Sequence, residues 1–364
     1  TNWYRFWYLK TLLIQLKRKT WNINQRSVVG LRPLDCMRSS ANYNKKHVLG
    51  DRIAALDLAK GIAIFFVIWM HCLQYCSEIT FTSSIYRFIY AFHMPLFIII
   101  SGYLYSNKLK KRTLKTNIIR QFKRLMVPNV LWGFFLGCIT QEFGISGILN
   151  SFWFLYTLFV VSMIYEFAAI CIKNVIISTI IVSIVILLLP GFEYIKFATP
   201  FFGIGLCFGN INLKNIKPNR YAIIASILFS IILYIFLWRG DEYIYLTKNP
   251  SIWCYSILEV RAYVLRILVG SAISLSIILV LHKIQDAFNL NILKRFSTSS
   301  LGLYVSHLFI LLFIIAISDL FQNSVFHHSS LICEIITLIL ALILSLVLNR
   351  GIEQIKQVKY INHI

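Results

Sequence analysis

The chain has 364 residues, of which 58 % are hydrophobic and 14 % charged, with a formal net charge of +22. Soluble globular chains are about a quarter charged, so this balance excludes an ordinary soluble domain. The positive charge falls in short stretches between long apolar runs, which argues against a nucleic-acid partner and for membrane topology and contact with anionic lipid.

Residues 1–51 form a basic segment with Lys17, Arg18 and Lys19 and no apolar run of secretory length. Two readings stand for it: a basic arm lying on anionic lipid, or an extension upstream of a translation start at Met37. Residues 52–350 read as one membrane domain and 351–364 as a cytoplasmic tail. Apolar runs of about 17 to 25 residues recur through that domain, each long enough to cross a bilayer. The first is predicted over about 60–76 and the second over about 85–105. Between the second and third lie Lys108, Lys110, Lys111, Arg112, Lys115, Arg120, Lys123 and Arg124 with no acid among them, which places that stretch in the cytoplasm. The third span is predicted over about 125–141 and the fourth over about 151–172. The fifth ends at Pro190-Gly191, and the sixth is short and rich in glycine. The seventh runs over about 221–238, the eighth returns to Lys283, the ninth covers about 301–320 and the tenth about 331–348. The expected fold is therefore an all-α polytopic transmembrane helical bundle of about ten spans with both termini inside. The eight cysteines include no zinc-type CxxC pair, so they read as buried, reduced thiols and no metal site is expected.

Several polar side chains interrupt the apolar runs. Lys60 and His71 are eleven residues apart, roughly 16 Å of helical rise. That places the lysine near one membrane face and the histidine beyond the bilayer middle, where an ionisable group marks either function or a bond to a neighbouring helix. Asp57, three residues before Lys60, is positioned to pair with it. His93 comes to similar depth on the next span, either to orient a substrate or to pack beside Pro95. Ser101, Tyr103, Tyr304 and His307 are further polar groups in apolar helices, and Tyr304 and His307 share a helix face. Arg120 and Arg124 are four apart and also share one. Trp153 suits an interfacial aromatic belt or a sugar-stacking wall. Glu166, Glu259, Arg261 and Arg266 are charges in membrane regions that no motif explains.

The stretch Leu56-Asp57-Leu58-Ala59-Lys60-Gly61 through His71 resembles the first-helix signature of the acyltransferase 3 family of integral-membrane O-acyltransferases. Phe92-His93-Met94-Pro95-Leu96-Phe97 with Ser101-Gly102-Tyr103 resembles its second helix. Arg120, Arg124 and Pro128 resemble the entry to its third, and Trp153-Phe154-Leu155 its fourth. Phe201-Phe202-Gly203-Ile204-Gly205 and Leu301-Gly302-Leu303-Tyr304-Val305-Ser306-His307 resemble later landmarks. The pairing of Lys-Gly with Phe-His-Met-Pro-Leu-Phe is most similar to the fucose 4-O-acetylase-like branch. Lys60 stands where much of the family has arginine, keeping the charge but not the planar fork that grips phosphate in two places.

The resemblance implies transfer of an acyl group, acetyl in the first instance, from acetyl-CoA or another acyl-CoA to a hydroxyl of a surface or lipid-linked carbohydrate, at a bacterial inner membrane. It implies His71 as catalytic base, with His93 in support. Lys60, Arg120 and Arg124 are expected to hold the CoA phosphates at the cytoplasmic mouth. Asp57, Ser101, Tyr103, Trp153, Tyr304 and His307 are expected to line the substrate cavity. The rival reading is an exporter or flippase of a polysaccharide or lipid-linked sugar, which polytopic apolarity and buried polar groups suit equally.

Overall fold

The computed structural model describes residues 53–320, apart from 77–83, 110–112, 142–143, 190, 212, 214–215, 217, 238–256, 286–295 and 298, together with a few residues between 338 and 347. The basic segment with Met37, most of the tenth span and the tail lie outside the described residues. Among the described residues every regular element is a helix. In chain order these are α1 (Ala54–Cys76), α2 (Ser84–Leu109), α3 (Leu114–Gln121), a π-helical turn (Phe122–Met126), α4 (Val127–Thr140), α5 (Ile145–Ser151), α6 (Trp153–Cys171), α7 (Val175–Leu188), α8 (Glu193–Cys207), a 3₁₀ turn (Phe208–Asn210), α9 (Arg220–Leu237), α10 (Ile257–Ile284) and α11 (Ser300–Leu320).

Among the described residues, five stretches are long and apolar enough to cross a membrane: Ala54–Leu73, Ser84–Ser106, Leu114–Thr140, Trp153–Cys171 and Val260–Ile284. Val175–Leu188, Arg220–Phe236 and Ser300–Phe313 are apolar but shorter. The third span differs from its sequence expectation. Its helix begins at Leu114 rather than near residue 125, so Lys115, Arg120, Lys123 and Arg124 lie on helix and not in a loop. Hydropathy stops at charged residues. Backbone hydrogen bonding does not, because long basic side chains extend toward water while their backbone continues the helix.

Helix α2 is the centre of the bundle, packed against α1, α8 and α10. Its crossing with α8 is made by glycines from both sides. A Cβ on Gly102 would overlap the Phe202 carbonyl oxygen, and one on Gly205 would overlap that of Ile99. Small residues at a helix crossing let backbones approach, which is how membrane helices gain packing where burial from water contributes little. At the periphery the apolar side chains point outward instead. Leu131 and Phe135 on α4, Ile180 on α7 and Phe229 on α9 are all exposed, as a lipid-facing surface requires.

Two prolines sit inside helices, Pro95 in α2 and Pro200 in α8. Each removes the N–H that would bond the carbonyl four residues earlier. For Pro200 that carbonyl belongs to Lys196, and the Tyr263 hydroxyl of α10 donates to it at 3.0 Å. For Pro95 it belongs to Ala91, and Gly270 of α10 lies against both Ala91 and Pro95. Helix α10 thus covers both proline sites. Tyr263→Phe, which strands the Lys196 carbonyl in a buried setting, is expected to lower stability by about 1–3 kcal/mol. Thermal unfolding in detergent measures this, and an unchanged midpoint would mean the carbonyl finds another donor.

Candidate active site

A cavity of about 110 Å³ opens between α1, α2, α3 with its π turn, α6, α8 and α11. Its polar lining comes from Lys60, Ser101, Tyr105, Gln121, Arg124, Ser300 and Tyr304, and its walls are otherwise apolar. The elements supply these groups from separate parts of the chain. Lys60 lies two turns into α1, where Asp57, one turn earlier, forms an ion pair with its ammonium at 3.8 Å. Ser297 in turn donates to Asp57 Oδ1 at 3.2 Å. The acid therefore holds the lysine from below without lining the cavity itself. Both members of the pair keep about a fifth of their side-chain surface exposed, so the pair is solvated.

Arg124 lies in the π turn. Turns of this kind interrupt α-helices mostly at functional sites, because the extra residue re-aims the side chains around it. Arg124 lines the cavity and Arg120 does not, although Arg120 lies within electrostatic reach of it. The shared face of the two arginines therefore does not make them equivalent.

Tyr304 joins the cavity wall to the histidines. This ring lines the cavity and lies 5.8 Å from the ring of His307, centre to centre. The His307 ring is 5.0 Å from that of His71. His93 is within electrostatic reach of His71 and of Arg266. Tyr304, His307, His71 and His93, which come from α11, α1 and α2, are thus one contiguous group beyond the cationic cavity. His93 is buried, its Nδ1–H donates to the Ile89 carbonyl at 2.8 Å, and its ring meets Tyr90 edge-on at 4.9 Å. Arg266 is buried as well, with its guanidinium 4.9 Å from the centre of the Phe197 ring.

Like Asp57 and His307, two further residues expected in the cavity are not part of its lining. The Tyr103 hydroxyl donates to the Ile211 carbonyl at 3.1 Å and ties α2 to the segment after α8. Trp153 stacks on Tyr194 at 4.5 Å and meets Phe154 edge-on at 6.0 Å, so it stands behind a cavity-lining ring. Ser101 does line the cavity, with its hydroxyl donating back to the Phe97 carbonyl at 2.8 Å.

The site also draws on residues that the sequence noted without assigning to it, or did not note at all. Glu166 of α6 is buried, and it accepts from the Tyr105 hydroxyl at Oε2 and from Asn117 Nδ2 at 2.8 Å at Oε1. This carboxylate joins α6, α2 and α3, and through Tyr105 it fixes one wall of the cavity. A lone acid in an apolar span was the available signal. Its partners were not legible, since Tyr105 and Asn117 lie 61 and 49 residues away in the chain.

Residues 53–350 match the family described as an acyltransferase domain, Acyl_transf_3. Two curated proteins are similar: nodulation protein NolL of Mesorhizobium japonicum, 27 % identical over 238 residues, and nodulation protein NolL of Sinorhizobium fredii, 23 % identical over 237. Each match covers 58 % of this chain, and 64 % and 63 % of the respective relatives, so the chain spans less than two thirds of their length. No solved structure matches. With a family match that takes in the described helices, the cationic cavity and the histidine group, this chain belongs to the acyltransferase 3 family.

Proposed function

We propose that the protein is an integral-membrane O-acyltransferase that moves an acetyl group, or another acyl group, from acyl-CoA to a hydroxyl of a surface or lipid-linked carbohydrate. The observation that carries this reading is the chain of neighbouring side chains that runs from the cavity lined by Lys60, Arg124 and Tyr304 through His307 to His71. Coenzyme A has phosphates at one end and a reactive thioester at the end of a long thin arm. A narrow cavity with cations on its lining and a base beyond it suits that shape. An exporter has no use for a base at the end of a cationic cavity, and family membership favours the transferase.

In this reading Lys60 and Arg124 hold the donor's phosphates, with Arg120 adding charge from nearby. Arg124 offers a planar fork that can bond two phosphate oxygens, whereas Lys60 acts as a point charge. The apolar walls around Phe154 and Leu158 take the arm and exclude water from the thioester. His71 accepts the proton of the acceptor hydroxyl as that oxygen attacks the acyl carbon. His93 orients the sugar, and the acyl–sulfur bond breaks with the electron pair leaving on sulfur. His71 then returns its proton to the sulfur and is neutral again. Holding thioester and hydroxyl in one cavity makes direct transfer sufficient, so no acylated side chain is required.

The same reading keeps about ten spans with both termini inside, a bacterial inner-membrane location with the donor entering from the cytoplasm, and kinship with the fucose 4-O-acetylase-like branch. Lys60→Arg is expected to keep acyl-CoA KM within about threefold, since it preserves the charge and adds the fork. A large rise in KM would mean that the pocket is shaped around a lysine paired with Asp57. The functional class is tested by mass spectrometry of the cell's envelope glycans with and without this gene. Loss of one acyl group from a defined glycan is the expected result, and identical acylation overturns the proposal.

A further inference from the structure

His307 is completely buried, and its Nδ1 lies 3.1 Å from the Leu303 carbonyl oxygen one turn earlier on α11. A carbonyl oxygen can only accept, so Nδ1 carries the proton and Nε2 of the neutral ring is an acceptor. That Nε2 atom is buried and has no hydrogen-bond partner among the described residues. A buried acceptor left in this way is unfavourable, and a phenylalanine would fill similar space without it. The titratable ring beside it is His71 of α1, 5.0 Å away centre to centre with 33° between the planes, and Tyr304 lies on the same helix at 5.8 Å. Helices α1 and α11 pack directly against each other, so the two rings are held by the framework of the bundle.

We propose that His307 is a positioning residue for His71. Resting on the transferase reading above, the inference adds that Nε2 of His307 accepts the N–H of His71, directly or through one water. This contact selects which His71 nitrogen is left bare to act as the base, and it orients that nitrogen. The acceptor O–H proton moves to the bare nitrogen while the acceptor oxygen bonds the acyl carbon. The acyl–sulfur bond breaks, its electron pair leaves on sulfur, and the proton then passes from His71 to that sulfur. Throughout, the positive His71 ring donates to His307, which gains and loses no proton of its own. The tautomer that the Leu303 carbonyl imposes suits His307 to this part, because a ring with its only N–H already committed presents a lone pair on the other side. The other titratable and charged groups that act here are His93, whose Nδ1–H is likewise committed to a backbone carbonyl, that of Ile89, and Arg266, a donor that acts on His93.

The test uses the full chain reconstituted in lipid, radiolabelled acetyl-CoA as donor, and the lipid-linked oligosaccharide fraction of the expressing cell as acceptor. His307→Phe is expected to lower kcat about 100-fold with acetyl-CoA KM changed less than about threefold. His307→Gln carries an amide oxygen able to replace the lost acceptor, and it is expected to recover at least about tenfold of that loss. His307→Met fills the volume without a strong acceptor and takes the place of His307→Phe if that variant fails to insert. Near-normal kcat in the Phe or Met variant overturns the inference. So does a Gln variant as impaired as the others with a parallel loss of acetyl-CoA affinity, which would reduce His307 to packing. Folded wild-type protein that binds acetyl-CoA but transfers nothing to any fraction would instead bring down the transferase reading, and the inference with it.

Discussion

His71→Ala is expected to remove most turnover, about 10²–10⁴-fold, while acyl-CoA remains bound. The size of the effect follows from the chemistry. A sugar hydroxyl is a poor nucleophile at neutral pH, and a positioned base that takes its proton during attack supplies acceleration of that order. The retained binding follows from the geometry. The cationic lining of the cavity is made by Lys60 and Arg124, and His71 is outside that lining, separated from Tyr304 by the His307 ring. Transfer kinetics and acyl-CoA binding measured on the same reconstituted protein separate the two. An acylated enzyme trapped at His71 when acceptor is withheld would replace base catalysis with a covalent carrier. Near-normal transfer by correctly inserted His71→Ala protein would remove His71 from the chemistry.

Arg124→Ala is expected to weaken acyl-CoA binding by about 1.5–3 kcal/mol, the loss of a hydrogen bond to a charged group, with acceptor binding unaffected. Arg120→Ala should cost less, because Arg120 is outside the cavity lining and acts on the donor only through its charge. The contrast is informative, since positive-inside topology treats both arginines alike. Isothermal titration with acetyl-CoA distinguishes them. Equal small effects would return both residues to a topological role.

The sequence made the helical class plain because apolar runs of spanning length are rare outside membranes. It also made several meeting residues legible. Lys60 with Asp57, and Tyr304 with His307, follow from spacing on one helix, since residues three apart share a face. Contacts between helices were another matter. Nothing in the spacing of α1 and α11 says that His71 meets His307, because the order of helices around a bundle is fixed by packing across the whole domain. The Gly102 and Gly205 crossing illustrates this, with each glycine accommodating a backbone about a hundred residues distant in the chain. Tyr103 shows the opposite failure. It lies one residue from Gly102 and two from Ser101, yet its position on the helix carries its hydroxyl away from the cavity to the Ile211 carbonyl. The π turn at Phe122–Met126 had one signal in the sequence, Pro128, which lacks the N–H that would bond the Arg124 carbonyl, while no residue in Phe-Lys-Arg-Leu-Met itself disfavours an ordinary α-helix.

The central claim is that the cationic cavity and the histidine group form one donor-to-acceptor path for acyl transfer. Its most direct measurement is transfer of radiolabelled acetyl from acetyl-CoA to the lipid-linked oligosaccharide fraction by the purified chain in lipid. The account predicts label in the oligosaccharide, ester-linked and removed by mild alkali, with release of one CoA thiol per acetyl transferred. Movement of unmodified oligosaccharide across the bilayer, with acetyl-CoA left intact, would contradict it.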